Sequence, residues 1–402
     1  MNKRFLIWDN PKDAIIVLTV LLMALGCINV FSASFVEAKD MFDNGYFYLY
    51  RYAGAAVIGI AAMGIIGWKI PYRFWLQYRH IWYAILFVVL ICVDAFGVTT
   101  KGAQRWLYIG GQSIQPSELV KLSIIILGAG SLGEYLKRGM PVSLRSKDLC
   151  FPFLQAAVFA GLVLVQPDMG TAAIIFALMI GLYIVAGLPR LELLSLLGMA
   201  LAGVILLIIF APYRFARVKI WLDPWQDAGN TGYQVVQSLM SIGSGGLVGK
   251  PFGMGSGKFF YLPEAHTDFA FAIFCQEWGF IGAVLLIAVF LVLAAAIHQV
   301  ALNAKNEKGF LLVTGVNFLV VGQAVANMAM VCGLLPVIGV PLSFISYWGT
   351  ALIVNLAAIG LVIAVYQDEI KQEVSQQEIA AVFEKRKQEL AGKRPLPRRW
   401  QR

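Results

Sequence analysis

Charge is scarce in this chain: of 402 residues only 14% are Asp, Glu, Lys or Arg, against about 25% in an ordinary soluble domain. Histidine is scarcer still. His80, His266 and His298 are the only three, too few and too scattered for a His-built metal centre. Five cysteines, an odd number without Cys-x-x-Cys or His-Cys spacing, exclude a disulfide scaffold and a zinc ribbon. Four of them (Cys27, Cys92, Cys275, Cys332) lie in or beside apolar runs, where a thiol packs as a small hydrophobe. Disorder is excluded too, since it needs low hydrophobicity and high charge. Apolar residues are abundant, at 59% of the chain with a mean hydropathy of +0.74. A soluble monomer of this composition would expose large apolar patches to water.

A membrane-spanning helix needs about 20 mostly apolar residues. Ten runs qualify or come close, at about 14–34, 48–68, 81–98, 116–135, 151–165, 171–187, 191–210, 269–296, 310–331 and 343–365. The expected fold is therefore an all-α polytopic membrane protein of about ten transmembrane helices. The fifth and sixth runs are short and separated only by Gln166-Pro167-Asp168-Met169-Gly170, so a re-entrant pair is the rival reading there. The first run follows Lys3 and Arg4 and precedes Ser32-Ala33-Ser34, as a signal peptide would, but its apolar core is too long for one, and a retained span is expected.

The net charge of +9 does not mark a nucleic-acid surface, because the basic residues follow membrane sidedness instead. With the N-terminus in the cytoplasm, the inner segments hold 22 Lys and Arg and the short outer loops 3 (Lys39, Lys101, Arg105). Positive residues stay inside, so both termini are expected there. One large extracytoplasmic loop, residues 211–268, then joins spans 7 and 8. It carries nine glycines, Tyr213, Trp221, Trp225 and Tyr233, and an amphipathic stretch from Tyr233 to Ile242 that is expected to lie in the membrane interface. Residues 1–366 form the membrane domain and 367–402 a basic cytoplasmic tail suited to anionic lipid heads.

Ionisable groups within spans are costly and mark function by default. Arg51, Asp94, Glu118, Lys121, Asp168 and Asp268 fall in the outward half or at its edge, with Glu277 somewhat deeper. Such one-sided clustering points to a site open to the outer leaflet and away from a proton wire. Glu118 and Lys121 are three apart on one helical face, just after Pro116, a residue favoured in a first turn. They read either as a functional pair or as a self-neutralising one. Five carboxylates against two cations leave three negative charges to be met by protonation, by loop cations such as Arg105, Arg214 and Arg217, or by a divalent ion. Two glycine-rich decoys, Ser244 to Pro251 and Gly253 to Gly257, lack the first glycine and the Ser/Thr of a phosphate loop or the preceding strand of a dinucleotide site, so nucleotide binding is rejected.

Four segments carry a resemblance. Gly102-Ala103-Gln104-Arg105-Trp106 with Gln115-Pro116-Ser117-Glu118-Leu119-Val120-Lys121, then Gln166-Pro167-Asp168-Met169-Gly170-Thr171, then Tyr261 to Phe269 (Tyr-Leu-Pro-Glu-Ala-His-Thr-Asp-Phe), then Phe344-Ile345-Ser346-Tyr347, resemble the bacterial SEDS family of shape, elongation, division and sporulation proteins. The likeness covers nearly the whole chain apart from the tail. It implies a peptidoglycan glycosyltransferase that polymerises lipid II at the outer face of the cytoplasmic membrane, with a class B penicillin-binding protein as partner within the division or elongation machinery. It implies that Asp268 is the catalytic base, and that Glu118, Lys121, Asp168, Arg214, His266 and Thr267 serve the substrate. Arg105 and Arg217 join Lys121 and Arg214 as cations for the diphosphate. A magnesium or manganese ion on Asp268, Asp168 and Glu118 is one way to balance the carboxylates; no nucleotide or organic cofactor is expected. Asp223-Pro224-Trp225 and Tyr261-Leu262-Pro263-Glu264 lean toward the division and sporulation branch. Two departures stand out: Trp348 where the family pattern has glycine, and Gln276 where it has glutamate. The rival readings are a lipid II flippase, which needs polar groups through the full depth of a cavity, for which Asn317, Gln323, Asn327 and Asn355 are modest candidates, and a noncatalytic scaffold.

Overall fold

The computed structural model describes residues 7–100, 103–109, 112–209, 212–255, 257 and 262–392. Each of the ten apolar runs lies mainly in helix. In chain order these are α1 (Pro11–Phe42), α2 (Phe47–Gly64, continued by a π turn to Lys69), the short α3 (Tyr72–Gln77), α4 (Arg79–Phe96), α5 (Pro116–Lys137), α6 (Lys147–Val165), α7 (Met169–Val185) and α8 (Arg190–Ile209). After α9 (Pro212–Leu222) and α10 (Tyr233–Ser244) come α11 (Ala270–Asn303), α12 (Glu307–Asn317), α13 (Gln323–Val331) and α14 (Gly349–Gly392). Among the described residues eight helices are long and apolar enough to cross a membrane, α12 and α13 counting as one through the π turn Phe318–Gly322. The α6–α7 pair is two complete helices packed side by side, of 19 and 17 residues.

Burial separates inner helices from outer ones. The facing sides of α5, α12 and the first half of α14 fill with Ile124, Leu127, Leu312, Val316, Leu356 and Ile359, all buried. By contrast Val57 and Ile58 of α2, Ile81 and Val88 of α4, Leu194 of α8 and Leu285 of α11 are exposed. A ring of exposed apolar side chains around a packed interior is what a lipid solvent requires. The two ends of the bundle are distinct. The start of α1 meets the far part of α14 and the end of α11, through Tyr366 Oη to Asn10 Oδ1 (3.0 Å) and Gln299 Nε2 to the Trp8 carbonyl (2.8 Å). The opposite end carries the start of α5, the α6–α7 turn and the loops before α11 and α14.

Three features depart from the expected outline. A small antiparallel sheet of β1 (Val98–Thr100), β2 (Ala103–Ile109) and β3 (Gln112–Ile114) replaces the loop between α4 and α5. The last span starts at Gly349 rather than 343, because residues 343–348 fold as a loop with Phe344 at φ +64°, and its helix runs on into the tail as far as Gly392. The amphipathic stretch is helical, but α10 buries Val235 and Val236 on α11 and α13, and Ser238 Oγ donates to the Val331 carbonyl at 2.8 Å.

The rejected phosphate-loop decoy has a structural task. At Gly279 (φ +67°) the α11 backbone breaks its helical path, a conformation only glycine adopts without strain. Residues 246–250 lie across that break. Phe280 N donates to the Gly246 carbonyl (2.9 Å), Ile281 N to Leu247 (3.1 Å), and Lys250 N to Gln276 (2.9 Å), so part of the interrupted helix's hydrogen bonding is taken over by the loop.

Candidate active site

Pro116 occupies the first turn of α5, where its missing N–H costs nothing. One turn further in, Lys121 Nζ meets Glu118 Oε2 at 2.8 Å with both side chains at most 3% exposed. Lys121 Nζ also donates to Gln323 Oε1 of α13 at 2.6 Å, and Gln323 Nε2 donates to the Pro341 carbonyl at 3.1 Å. Asn327, one turn along α13, uses its single Nδ2 to bind the carbonyls of Asp268 and Val340, each at 2.7 Å. A chain of buried polar contacts thus runs from α5 through α13 to the loop before α14 and to the backbone of Asp268.

The α6–α7 turn docks beside it. Asp168 caps α7, accepting from Thr171 N (3.0 Å) and Thr171 Oγ1 (3.0 Å), and accepts from Gln115 Nε2 at 3.0 Å. Arg105 of β2 closes this turn from outside, donating to the carbonyls of Gln166 (3.0 Å) and Pro167 (2.6 Å) with Nη1 3.8 Å from Asp168. Gly170 lies so close to the Ile338 carbonyl that a Cβ would stand 1.8 Å from its oxygen, which leaves glycine as the residue that fits.

These elements border a 660 Å³ cavity lined by Arg51, Arg105, Glu264, Thr267, Asp268 and residues 347–350, where the loop passes into α14. Asp268 Oδ2 lies over Gly339, where a Cβ would stand 3.4 Å away. Thr267 Oγ1 donates to Glu264 Oε2 at 2.7 Å, and Glu264 sits at φ +58°. Trp106 of β2 stacks on Trp348 with ring centroids 5.0 Å apart, and the buried Trp348 Nε1 has no acceptor among the described residues. Burial pushes the Tyr347 hydroxyl above its ordinary range, and a hydrogen bond from Arg51 pulls it part of the way back.

Of the residues expected at the site, Arg105, Thr267 and Asp268 line the cavity. Asp168 stands behind Arg105, and Glu118 with Lys121 is sealed in the protein. His266 does not itself line the cavity: its Nδ1 lies 3.2 Å from Glu37 Oε2, its ring packs on Tyr48 and on the cavity residue Tyr347, and its carbonyl accepts from Tyr347 N at 2.8 Å. The side chains of Arg214 and Arg217, on α9, lie outside the described residues. The surplus of carboxylates is met in part by pairing, Arg105 with Asp168 and Lys121 with Glu118, while Glu277 accepts from Ser32 Oγ (2.5 Å) and Gly253 N (3.2 Å). No three His, Cys, Asp or Glu side chains among the described residues gather closely enough to hold a metal ion by themselves. The sequence placed Arg51 in the outward charge cluster without assigning it a role, and left unmarked Glu264 as a cavity residue and Gln115 and Gln323 as partners of the buried charges.

The family model for FtsW, RodA and SpoVE cell cycle proteins matches residues 12–371. The chain belongs to this family. Its FtsW-like relatives include a probable peptidoglycan glycosyltransferase FtsW of Geobacter sp. (strain M18), 37% identical over 361 residues, covering 87% of this chain and 95% of that protein. Stage V sporulation protein E of Bacillus subtilis (strain 168) is 36% identical, covering 89% and 97%. A chain of a solved peptidoglycan synthase complex that coordinates polymerization and crosslinking superposes with a TM-score of 0.74 at 30% identity, over 91% of this chain and 99% of that one. Thermus thermophilus RodA gives 0.65 at 27% identity, over 91% and 99%. Within this FtsW/RodA/SpoVE frame both departures acquire local roles. Trp348 fills its place by stacking on Trp106. Gln276 donates to Ser244 Oγ (2.7 Å) and accepts from Gly257 N (3.1 Å), tying the glycine-rich segment to α11.

Proposed function

We propose that the chain is a peptidoglycan glycosyltransferase that polymerises lipid II at the outer face of the cytoplasmic membrane, with both termini inside. The observation that carries this is the cavity at one end of the bundle, where Asp268 and Glu264 face Arg51 and Arg105 beside a stacked indole pair. Three requirements of the chemistry are supported. The acceptor sugar hydroxyl loses its proton as it attacks the anomeric carbon, and the Asp268 carboxylate takes it, an assistance worth about 10²- to 10⁴-fold. The departing diphosphate develops charge, which the guanidinium groups of Arg51 and Arg105 meet in a preformed arrangement. The polyprenyl tails stay in lipid, beside the exposed apolar flank of α2. Direct displacement by the acceptor inverts the anomeric carbon and needs no covalent enzyme intermediate.

Glu264 and Asp268 together with substrate phosphate oxygens are a donor set that magnesium accepts. When bound, that ion supplies positive charge to the leaving diphosphate. The partner is a class B penicillin-binding protein, supported by the likeness to the peptidoglycan synthase complex. A flippase is disfavoured because three of the four amides it would need have their side-chain groups engaged: Gln323 accepts from Lys121 and donates to Pro341, Asn327 donates to two carbonyls, and Asn317 donates to the Ala294 carbonyl at 3.1 Å. Purified chain given labelled lipid II distinguishes the readings. Polymer supports the proposal, whereas translocation without polymer, or neither, refutes it.

A further inference from the structure

A second large cavity, of 560 Å³, lies at the far end of α5 from the candidate site. Glu118 and Glu134 are separated by about 24 Å along α5 at 1.5 Å per residue, close to the thickness of a bilayer's hydrocarbon core. The cavity forms where α4 begins, α5 ends and α6 begins. Arg79, Arg138 and Lys147 line it against two carboxylates, Glu134 and Asp148, leaving one positive charge. Lys308 of α12 adds a second from 3.7 Å off Glu134. The cations are not all consumed internally. Arg79 reaches Glu134 at 3.2 Å and the Leu76 carbonyl at 3.0 Å, and Arg138 lies 3.3 Å from Asp148 and 3.7 Å from Glu134, but Lys147 is exposed and more cations than carboxylates gather here. The first turn of α6 contributes the positive end of a 19-residue helix.

Below the charges the surface turns apolar: Phe151, which lines the cavity, is followed by Leu154 on α6, with Ile81 and Ile85 on α4 alongside, all exposed. A cationic cup above an exposed apolar flank matches a molecule with an anionic phosphate head and acyl chains.

We propose that this cavity binds the phosphate headgroup of an anionic phospholipid, with the acyl chains lying against α4 and α6. Basic pockets between membrane helices take such heads, each cation near the surface adding an increment of binding. The site's place in the inner leaflet rests on the orientation proposed above; its chemistry does not.

The test is native mass spectrometry of the purified, delipidated full chain titrated with phosphatidylglycerol, with phosphatidylethanolamine as the uncharged comparison. Phosphatidylglycerol binds preferentially, and Arg138→Gln with Lys147→Gln weakens it about thirtyfold. Lys69→Gln, which removes an exposed cation at the same end outside the cavity, leaves it unchanged. Lys147→Glu alone, at an exposed position, keeps the test valid if the double variant folds poorly, and it too weakens binding. Undiminished binding by Lys147→Glu overturns the proposal. So does equal affinity for both lipids, or inorganic phosphate displacing the lipid completely at equimolar concentration. None of these readouts depends on polymer formation, so this proposal and the polymerase reading fail separately.

Discussion

Removing the ammonium of Lys121 is the most informative perturbation of the buried network. Lys121→Met leaves the Glu118 carboxylate at most 3% exposed without the one cation paired to it among the described residues, and frees Gln323 from its 2.6 Å bond. Breaking one partner of a buried pair costs about 3–5 kcal/mol, whereas replacing both with neutral groups of similar size is far milder. At about 2–4 °C per kcal/mol, the single variant melts roughly 6–20 °C below wild type. Glu118→Gln with Lys121→Met recovers most of that loss. Activity does not recover in parallel, because Gln323, which holds the Pro341 carbonyl, has lost the lysine that fixes it, and the loop that delivers Tyr347 and Trp348 to the cavity follows Pro341. Melting temperature in detergent beside polymerisation rate measures both. A single variant as stable as the double one would refute the uncompensated-charge argument, and a fully active double variant would refute the positioning role.

Gly170→Ala drives a methyl to 1.8 Å from the Ile338 oxygen, and overpacking of about 1–3 kcal/mol or more should appear as a lowered melting temperature with loss of activity. Excess chelator should stop polymerisation and magnesium or manganese restore it, while neither changes the melting temperature of the lipid-free chain, since no three-ligand protein site is present among the described residues. Asp227 is held below the ordinary carboxylate range by hydrogen bonds from the Thr231 hydroxyl, the Thr231 amide and Asn230. Because the folded value is depressed, the turn's added stability is present above about pH 4 and is lost as pH falls through the folded value, so hydrogen exchange across 227–233, corrected for intrinsic rates, should accelerate there and not near neutrality.

The spans were legible because lipid-facing and core-facing helices are both apolar, so hydropathy marks them without regard to side. Their ends were less so: α1 runs on to Phe42 through Glu37, Lys39 and Asp40, whose polarity hides the helix from a hydropathy reading. The sheet at 98–114 escaped because its strands are as short as three residues and carry no sustained alternation. At the site, charge inside apolar runs singled out Glu118, Lys121, Asp168 and Asp268, and Pro116 marked where α5 begins. What spacing could not supply was which of them share a space. Asp268 and Arg105 both line the cavity, whereas Lys121 turns inward to Gln323, 202 positions away. Gln323 and Asn327 were visible as amides in a span, but their partners are carbonyls and a lysine of distant segments, contacts that no local pattern encodes.

The central claim is that the Asp268 carboxylate takes the acceptor proton. Asp268→Asn keeps its size and the backbone bond from Asn327 to its carbonyl while removing the base. Purified wild-type and Asp268→Asn chains, matched for melting temperature and given the same labelled lipid II, should differ by at least about 100-fold in glycan polymer formed; near-normal polymer from the folded Asn variant would contradict the account.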